Sequence, residues 1–127
     1  MSERHSLGRR AESAVADYLH ANGFSLLAQN LRLGALEIDL VARRGPLVVI
    51  VEVRARGKGA YERPFASIAG MKRTRLLRAA DRLWRTRLRA MHDVQRLRID
   101  VAAVRFEEGR THVEYIAGAI AAAPAPL

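Results

Sequence analysis

The sequence predicts an α/β fold: a mixed β-sheet flanked by helices, with the elements in the order αβββαββ. Three observations carry that expectation. Apolar residues recur at helical spacing in two segments, about residues 7–22 and 67–89. Five aliphatic segments punctuated by turn residues read as strands. One of them, residues 47–56, is apolar on both faces, which places it centrally in its sheet with cover on both sides.

Taken in order, the first helix has Ser6 as its expected N-cap and Gly23 just past its end. Ala11, Ala14, Val15, Tyr18 and Leu19 form its apolar face, and Glu12 lies beside that face. A strand is expected at 25–33, a turn at Gly34-Ala35, and a strand at 36–43. Strict alternation in the latter sets Glu37, Asp39 and Val41 on one face, and Leu36, Ile38, Leu40 and Ala42 on the other. Arg44-Gly45-Pro46 turns the chain into 47–56, so these two strands form a hairpin. Residues 57–65 read as a charged, glycine-containing loop. Ser67 caps the second helix, on which Leu76, Leu77, Ala80, Leu83, Trp84 and Leu88 share a face. Strands at 98–106 and 111–116 follow, with Glu107-Glu108-Gly109 between them and a flexible tail over 117–127. The long second helix allows one parallel strand pairing.

Length and composition bound the function. The 127 residues argue for a single domain spanning 1–127. Cysteine is absent, which excludes disulfides and thiolate metal sites and suits a reducing, cytoplasmic setting. No run of about 18 apolar residues suggests a membrane span, and the polar start, MSERHSLGRRAES, lacks the apolar middle of a signal peptide. The formal net charge is +9, and all but two of the 22 Lys and Arg residues are arginine. Such an excess points to a polyanionic partner, nucleic acid first. Arg75, Arg78, Arg82, Arg85 and Arg89 recur at intervals of three and four, opposite the apolar helix face. Arg75, Arg78 and Arg82 of that stripe, with Arg56 and Lys58, are the candidate phosphate contacts. Phosphate contacts position a duplex without reading its sequence.

The candidate chemistry lies on the hairpin. Glu37 and Asp39 are two apart on one strand, and Glu52 and Arg54 are two apart on the next. Pairing of the strands brings Asp39 and Glu52 close together. Their repulsion raises one pKa unless a cation intervenes. Mg²⁺, or Mn²⁺, is the fitting cation, since it takes hard oxygen ligands and retains waters. A metal so held activates water and offsets phosphoryl charge. Arg54 stays protonated, so its role is electrostatic and water-positioning. Lys58 and Lys72 are the lysines available for proton transfer. The same residues equally suit a purely structural ion-pair cluster, and spacing alone does not decide between the two.

The segments GRRAESAVADYLHANGFSLLAQNLR, EIDLVAR, LVVIVEVRAR, SIAGMKRTRLLRAADRLW and RIDVAAV, in that order, resemble the YraN-like family of bacterial proteins. The resemblance runs from about residue 7 to residue 116. That family is similar to the PD-(D/E)XK nucleases, especially Holliday-junction-resolvase-like endonucleases. The resemblance implies a restriction-endonuclease-like core and Mg²⁺-dependent hydrolysis of DNA, branched DNA included. It implies that Asp39 and Glu52 hold the metal with a backbone carbonyl at Val53. Arg54 then occupies the position of the superfamily's lysine, and Leu36 that of a glycine. Glu12, Glu37 and Lys72 match the helix-1 glutamate, the Glu of a Gly-Glu-Ile-Asp motif and a basic position early in the second helix. A homodimer also follows by resemblance, because a junction presents two symmetric strands.

The alternative is a nucleic-acid-binding protein on a nuclease scaffold without turnover, motivated by Arg54. A protein–protein adaptor with incidental basic charge is a third reading. His5, His20, His92 and His112 share no ligand spacing. Trp84 reads as core, and Asp100, beside Arg98, as a structural ion pair.

Overall fold

The computed structural model describes residues 3–56 and 70–120, and the side chains of 6–55 and 72–120. The expected element order is the one observed. Helix α1 (Glu3–Ala21) leads into β1 (Ser25–Leu33), β2 (Leu36–Arg44) and β3 (Leu47–Arg56). Helix α2 (Gly70–Leu83) continues as a π-helical turn (Trp84–Leu88), followed by β4 (Arg96–Glu107) and β5 (Arg110–Ile120). The five strands form one sheet in the order β1-β2-β3-β4-β5. All neighbours are antiparallel except β3 and β4, which the α2 crossover makes parallel.

β3 is central, as its two apolar faces require. Leu47, Val49 and Val51 pack toward α1 with Ala11, Val15 and Leu19. Val48 and Ile50 pack toward α2 with Leu76, Ala80 and Leu83. All five aliphatic residues at 47–51 are buried. Each contributes about 1.5–3 kcal/mol by leaving water, so the strand is the rigid axis of both cores.

α1 ends as its sequence dictates. Phe24 N–H donates to Leu19 O at 2.9 Å and Gly23 N–H to His20 O at 3.0 Å. This paired closure needs a left-handed residue, and Gly23 supplies it at φ 85°. Phe24 and Leu19 join the same core, as that motif favours. The start differs from expectation: Ser6 lies inside the helix, which already runs from Glu3.

The second helix differs in its last turn. Counting four residues on from Leu83 reaches Arg87, which would carry a charge into the core. The π turn takes one extra residue, leaves Arg87 exposed and buries Leu88, as expected of the apolar face (Arg89 N–H to Trp84 O, 2.8 Å). The expected capping by Ser67 and the loop at 57–65 lie outside the described residues.

β5 is longer than expected. It continues to Ile120, which pairs with Ile99 and is buried, so residues 117–120 belong to the sheet rather than to a tail. The carboxylate of Asp100 explains the extension. It accepts from Arg98 Nε at 2.8 Å, Arg98 Nη2 at 3.0 Å and Gly118 N–H at 2.8 Å, and from the Tyr115 hydroxyl. These bonds bridge the irregular register between Ile99 and Val101. The ion pair expected of Asp100 and Arg98 is therefore present, wholly buried at the aspartate.

Candidate active site

The site forms where β2 parts from β3. Their ladder runs from Arg44 opposite Leu47 to Leu40 opposite Val51 and stops there. One further step would set Asp39 opposite Glu52. Instead the Asp39 carboxylate takes the place of a backbone partner: its Oδ2 accepts the Val53 N–H at 2.8 Å.

The parting begins in β1. Asn30 has φ 51°, in the left-handed region that asparagine tolerates better than most residues. It lies level with Asp39, between the paired steps Gln29–Leu40 and Leu31–Ile38. Alternation breaks at that level on both strands. Ala28 and Leu31 pack into the α2-side core although three residues apart, and so do Ile38 and Val41. Leu40 packs on the α1 side. The single apolar face expected for Leu36, Ile38, Leu40 and Ala42 is thus corrected: the first two face α2 and the last two face α1. Strict period-two reading cannot anticipate a left-handed residue on the neighbouring strand.

The charges around Asp39 follow from this geometry. Burial pushes its carboxyl up to about 7, and the nearby Glu52 and Glu12 carboxylates push the same way. The Val53 hydrogen bond opposes them without prevailing. Glu52 is the next residue after the buried run of β3 and is itself buried. Lys72, in the first turn of α2, reaches it with Nζ 2.7 Å from Glu52 Oε1. Glu12 stands on α1, where Asn30 Nδ2 donates to its Oε2 at 3.3 Å. Arg54 follows Glu52 by two on β3 and is half-buried.

Asp39, Glu52, Val53 and Lys72 therefore converge, with Glu12 acting on Asp39 through its field. Glu37 does not join them. It is exposed on the β1–β2 hairpin and faces Arg32 at 3.8 Å. Among the described residues no three His, Asp or Glu groups gather closely enough to hold a metal ion. Of the basic residues, Arg75 and Arg78 stand exposed on α2. Arg82 instead donates from Nη1 to Leu33 O at 3.3 Å. Its guanidinium lies over Gly34, whose φ of 66° is the left-handed conformation for which the β1–β2 turn needs a glycine. Arg85 pairs with Asp81 at 3.2 Å. The side chain of Arg56 and all of Lys58 lie outside the described residues. Asn30 escaped the sequence reading. Its signal was an asparagine in the interior of a predicted strand, where it is disfavoured unless it turns the backbone.

No helix among the described residues is long and apolar enough to cross a membrane. A search of solved structures finds a similarity to Pyrococcus furiosus SfsA in complex with Ca²⁺. Its TM-score is 0.43 at 12% identity, covering 90% of this chain and 63% of that one. A protein of Sorangium cellulosum (strain So ce56) described as UPF0102 is 48% identical over 117 residues, covering 91% of this chain and 81% of its own. One from Anaeromyxobacter dehalogenans (strain 2CP-C) is 37% identical over 116 residues, covering 91% and 84%. The profile of Uncharacterised protein family UPF0102 matches residues 11–104, from the buried face of α1 to the end of the β4 core. On that match and those identities, the chain belongs to the UPF0102 family, the YraN-like family named from its motifs.

Proposed function

We propose that the protein is a metal-dependent endonuclease that hydrolyses phosphodiester bonds in DNA, acting in the cytoplasm. The observation that carries this reading is the Asp39–Glu52 pair, set where the buried run of the central strand ends and β2 parts from it. Burial first, then Glu52 and Glu12, raise the Asp39 carboxyl to about 7, and a bound cation would offset the repulsion among these acids. Hard oxygen donors of this kind fit Mg²⁺ or Mn²⁺.

Asp39 and Glu52 would hold the ion, with the Val53 carbonyl as a further donor. Bound there, it would supply Lewis acidity toward a phosphoryl oxygen and toward water. The chain's own groups do the rest. The Val53 N–H fixes the rotamer of Asp39. Lys72 orients Glu52, and its half-exposed ammonium can hold or yield a proton at the substrate side. Arg54, always charged, offsets the charge that develops on phosphorus-bound oxygens. Glu12 adds negative potential from α1, and Asn30 holds it in place. Exposed Arg75 and Arg78 supply phosphate contacts on the α2 side. Preference for branched DNA, and a dimer matching its two strands, follow from the family resemblance.

Two points favour a second reading, a nucleic-acid-binding protein without turnover: Lys72 already pairs with Glu52, and by the family resemblance Arg54 stands at the lysine position. A cleavage panel separates the two. Linear duplex, single strand, flap and four-way junction would be incubated with Mn²⁺, with Asp39→Ala and Glu52→Ala alongside. Cleavage by the parent that either alanine abolishes supports the nuclease. Equal cleavage by parent and variants removes these residues from the site. Salt-sensitive binding with no cleavage under any divalent ion establishes the binding protein.

A further inference from the structure

α1 has two flanks, and the site above uses one. On that flank Glu12 meets Asn30 of β1. The other flank faces β4 and β5, at the opposite side of the sheet. There a groove of about 490 Å³ is lined by Ser6, Arg9, Arg10 and Ser13 of α1 and by Phe106 and Thr111. Phe106 and Thr111 are cross-strand partners next to the β4–β5 turn, so the groove's far wall is a rigid hairpin.

The lining is rich in donors. Arg9 and Arg10 add two guanidinium groups, and Ser6, Ser13 and Thr111 add three hydroxyls. Arg10 is held with its guanidinium carbon 4.5 Å from the centre of the Phe106 ring. A ring attracts the cation through its face and accepts none of its in-plane N–H groups in the way a carboxylate would. The arrangement therefore positions a positive charge without neutralising it. One acidic residue, Asp17, also lines the groove.

We infer that this groove is a second phosphate-backbone subsite, which holds the nucleic-acid strand on its way to or from Asp39 and Glu52. The inference deepens the proposed function and rests on its choice of nucleic acid as partner. Guanidinium forks match phosphate oxygens in number and geometry, and hydroxyls add neutral donors. Arg10 covers the Phe106 ring, so the groove takes the backbone rather than a stacked base, and it reads no sequence. The spacing suits a continuous strand. Val101 is the parallel partner of Glu52, and Phe106 lies further along β4 by about 17 Å at roughly 3.3 Å per residue. That is a few nucleotides of chain, so the α2 arginines and this groove would grip the substrate on either side of the carboxylates.

The test is binding, measured without divalent ions so that it does not depend on cleavage. Fluorescence anisotropy of a labelled DNA would be followed over a salt series for the parent, Arg9→Gln, Arg10→Gln, Asp17→Asn and Arg96→Gln. Arg96 is exposed at the opposite end of β4 and removes the same charge away from the groove. Each groove arginine removed is expected to weaken binding about 3- to 10-fold and lower the salt slope by about 1. Asp17→Asn is expected to tighten it, and Arg96→Gln to leave the slope unchanged. The opposite sign at Asp17 keeps the test decisive should an arginine variant fold poorly. The inference is overturned if Arg9→Gln and Arg10→Gln match Arg96→Gln, if Asp17→Asn has no effect, or if the arginine variants lose binding to anionic phosphatidylglycerol vesicles but keep it to DNA. A parent that binds DNA through the groove yet never cleaves it defeats the nuclease and leaves the subsite standing. A parent that cleaves DNA while the groove variants bind normally does the reverse.

Discussion

Asp39 holds its proton up to about pH 7 in the metal-free chain, well above the 3.8 of an ordinary aspartate, mainly because it is buried. The sign for stability follows. Between those two values the folded state binds a proton that the unfolded chain releases, so this residue's stabilising contribution is complete below about pH 4 and is lost as pH rises to about 7. The melting temperature of metal-free protein should therefore fall from about pH 5 to about pH 8. Asp39→Asn keeps an oxygen for the Val53 N–H and removes the titrating group, so its melting profile should be flatter over that range. At about pH 8, Mn²⁺ should raise the melting temperature of the parent by several degrees and that of the Asn variant by much less. A parent profile as flat as the variant's would refute the burial of this charge. Asp100 is held by contacts instead. Its carboxylate is wholly buried but receives Arg98, Tyr115 and Gly118; burial first and then Asp100 raise the Tyr115 phenol above its ordinary range, with Arg98 opposing them. Asp100→Ala leaves a guanidinium and a hydroxyl unmatched, and should cost about 3–5 kcal/mol in denaturant unfolding. Tyr115→Phe removes one bond and should cost about 1–2 kcal/mol.

At the scale of elements, the π turn decides which residue of the second helix reaches the core. After Leu76, Ala80 and Leu83 the π turn carries Leu88 into the core and leaves Arg87 exposed. Leu88→Ala should lose about 2–5 kcal/mol, and Arg87→Ala should stay within about 0.5 kcal/mol of the parent. Equal losses at both positions would mean that the turn is an ordinary α-helical one. The kink shared by β1 and β2 works differently. It lets β2 contribute Leu36 and Ile38 to one core and Leu40 and Ala42 to the other. Asp39 lies at the change-over, aimed at β3 rather than at either core. An element that switches faces is thereby the means of placing a carboxylate where β2 parts from β3.

For the whole molecule, positive charge is the dominant feature, +9 in formal terms. Binding to nucleic acid should weaken steeply with salt, with a log–log slope of about −0.9 for each phosphate neutralised on duplex DNA. Arg78→Ala should lower that slope by about 1 and weaken binding evenly across sequences. A slope near zero would point away from nucleic acid and toward the adaptor reading. The mixed sheet sets the frame for this surface. One parallel pairing at β3–β4 brings the ends of the two central strands to the same edge, where α1 and α2 both begin.

The order of the elements, the centrality of β3, the parallel crossover and the Asp100–Arg98 pair were all legible in the residues. Each follows from local periodicity, from apolar content or from neighbours two apart on a strand. The approach of Asp39 to Glu52 was legible too, because a short turn fixes hairpin register. Tertiary structure alone decided what lies beyond the register. It turned Asn30 left-handed and split the apolar face of β2. It left Glu37 outside the site beside Arg32, and it brought Lys72 across the crossover to Glu52. These outcomes depend on backbone irregularity or on contacts between residues distant in sequence, and a local pattern encodes neither. The groove between α1 and the β4–β5 hairpin belongs to the same class, since its two walls meet only when α1 packs on the assembled sheet.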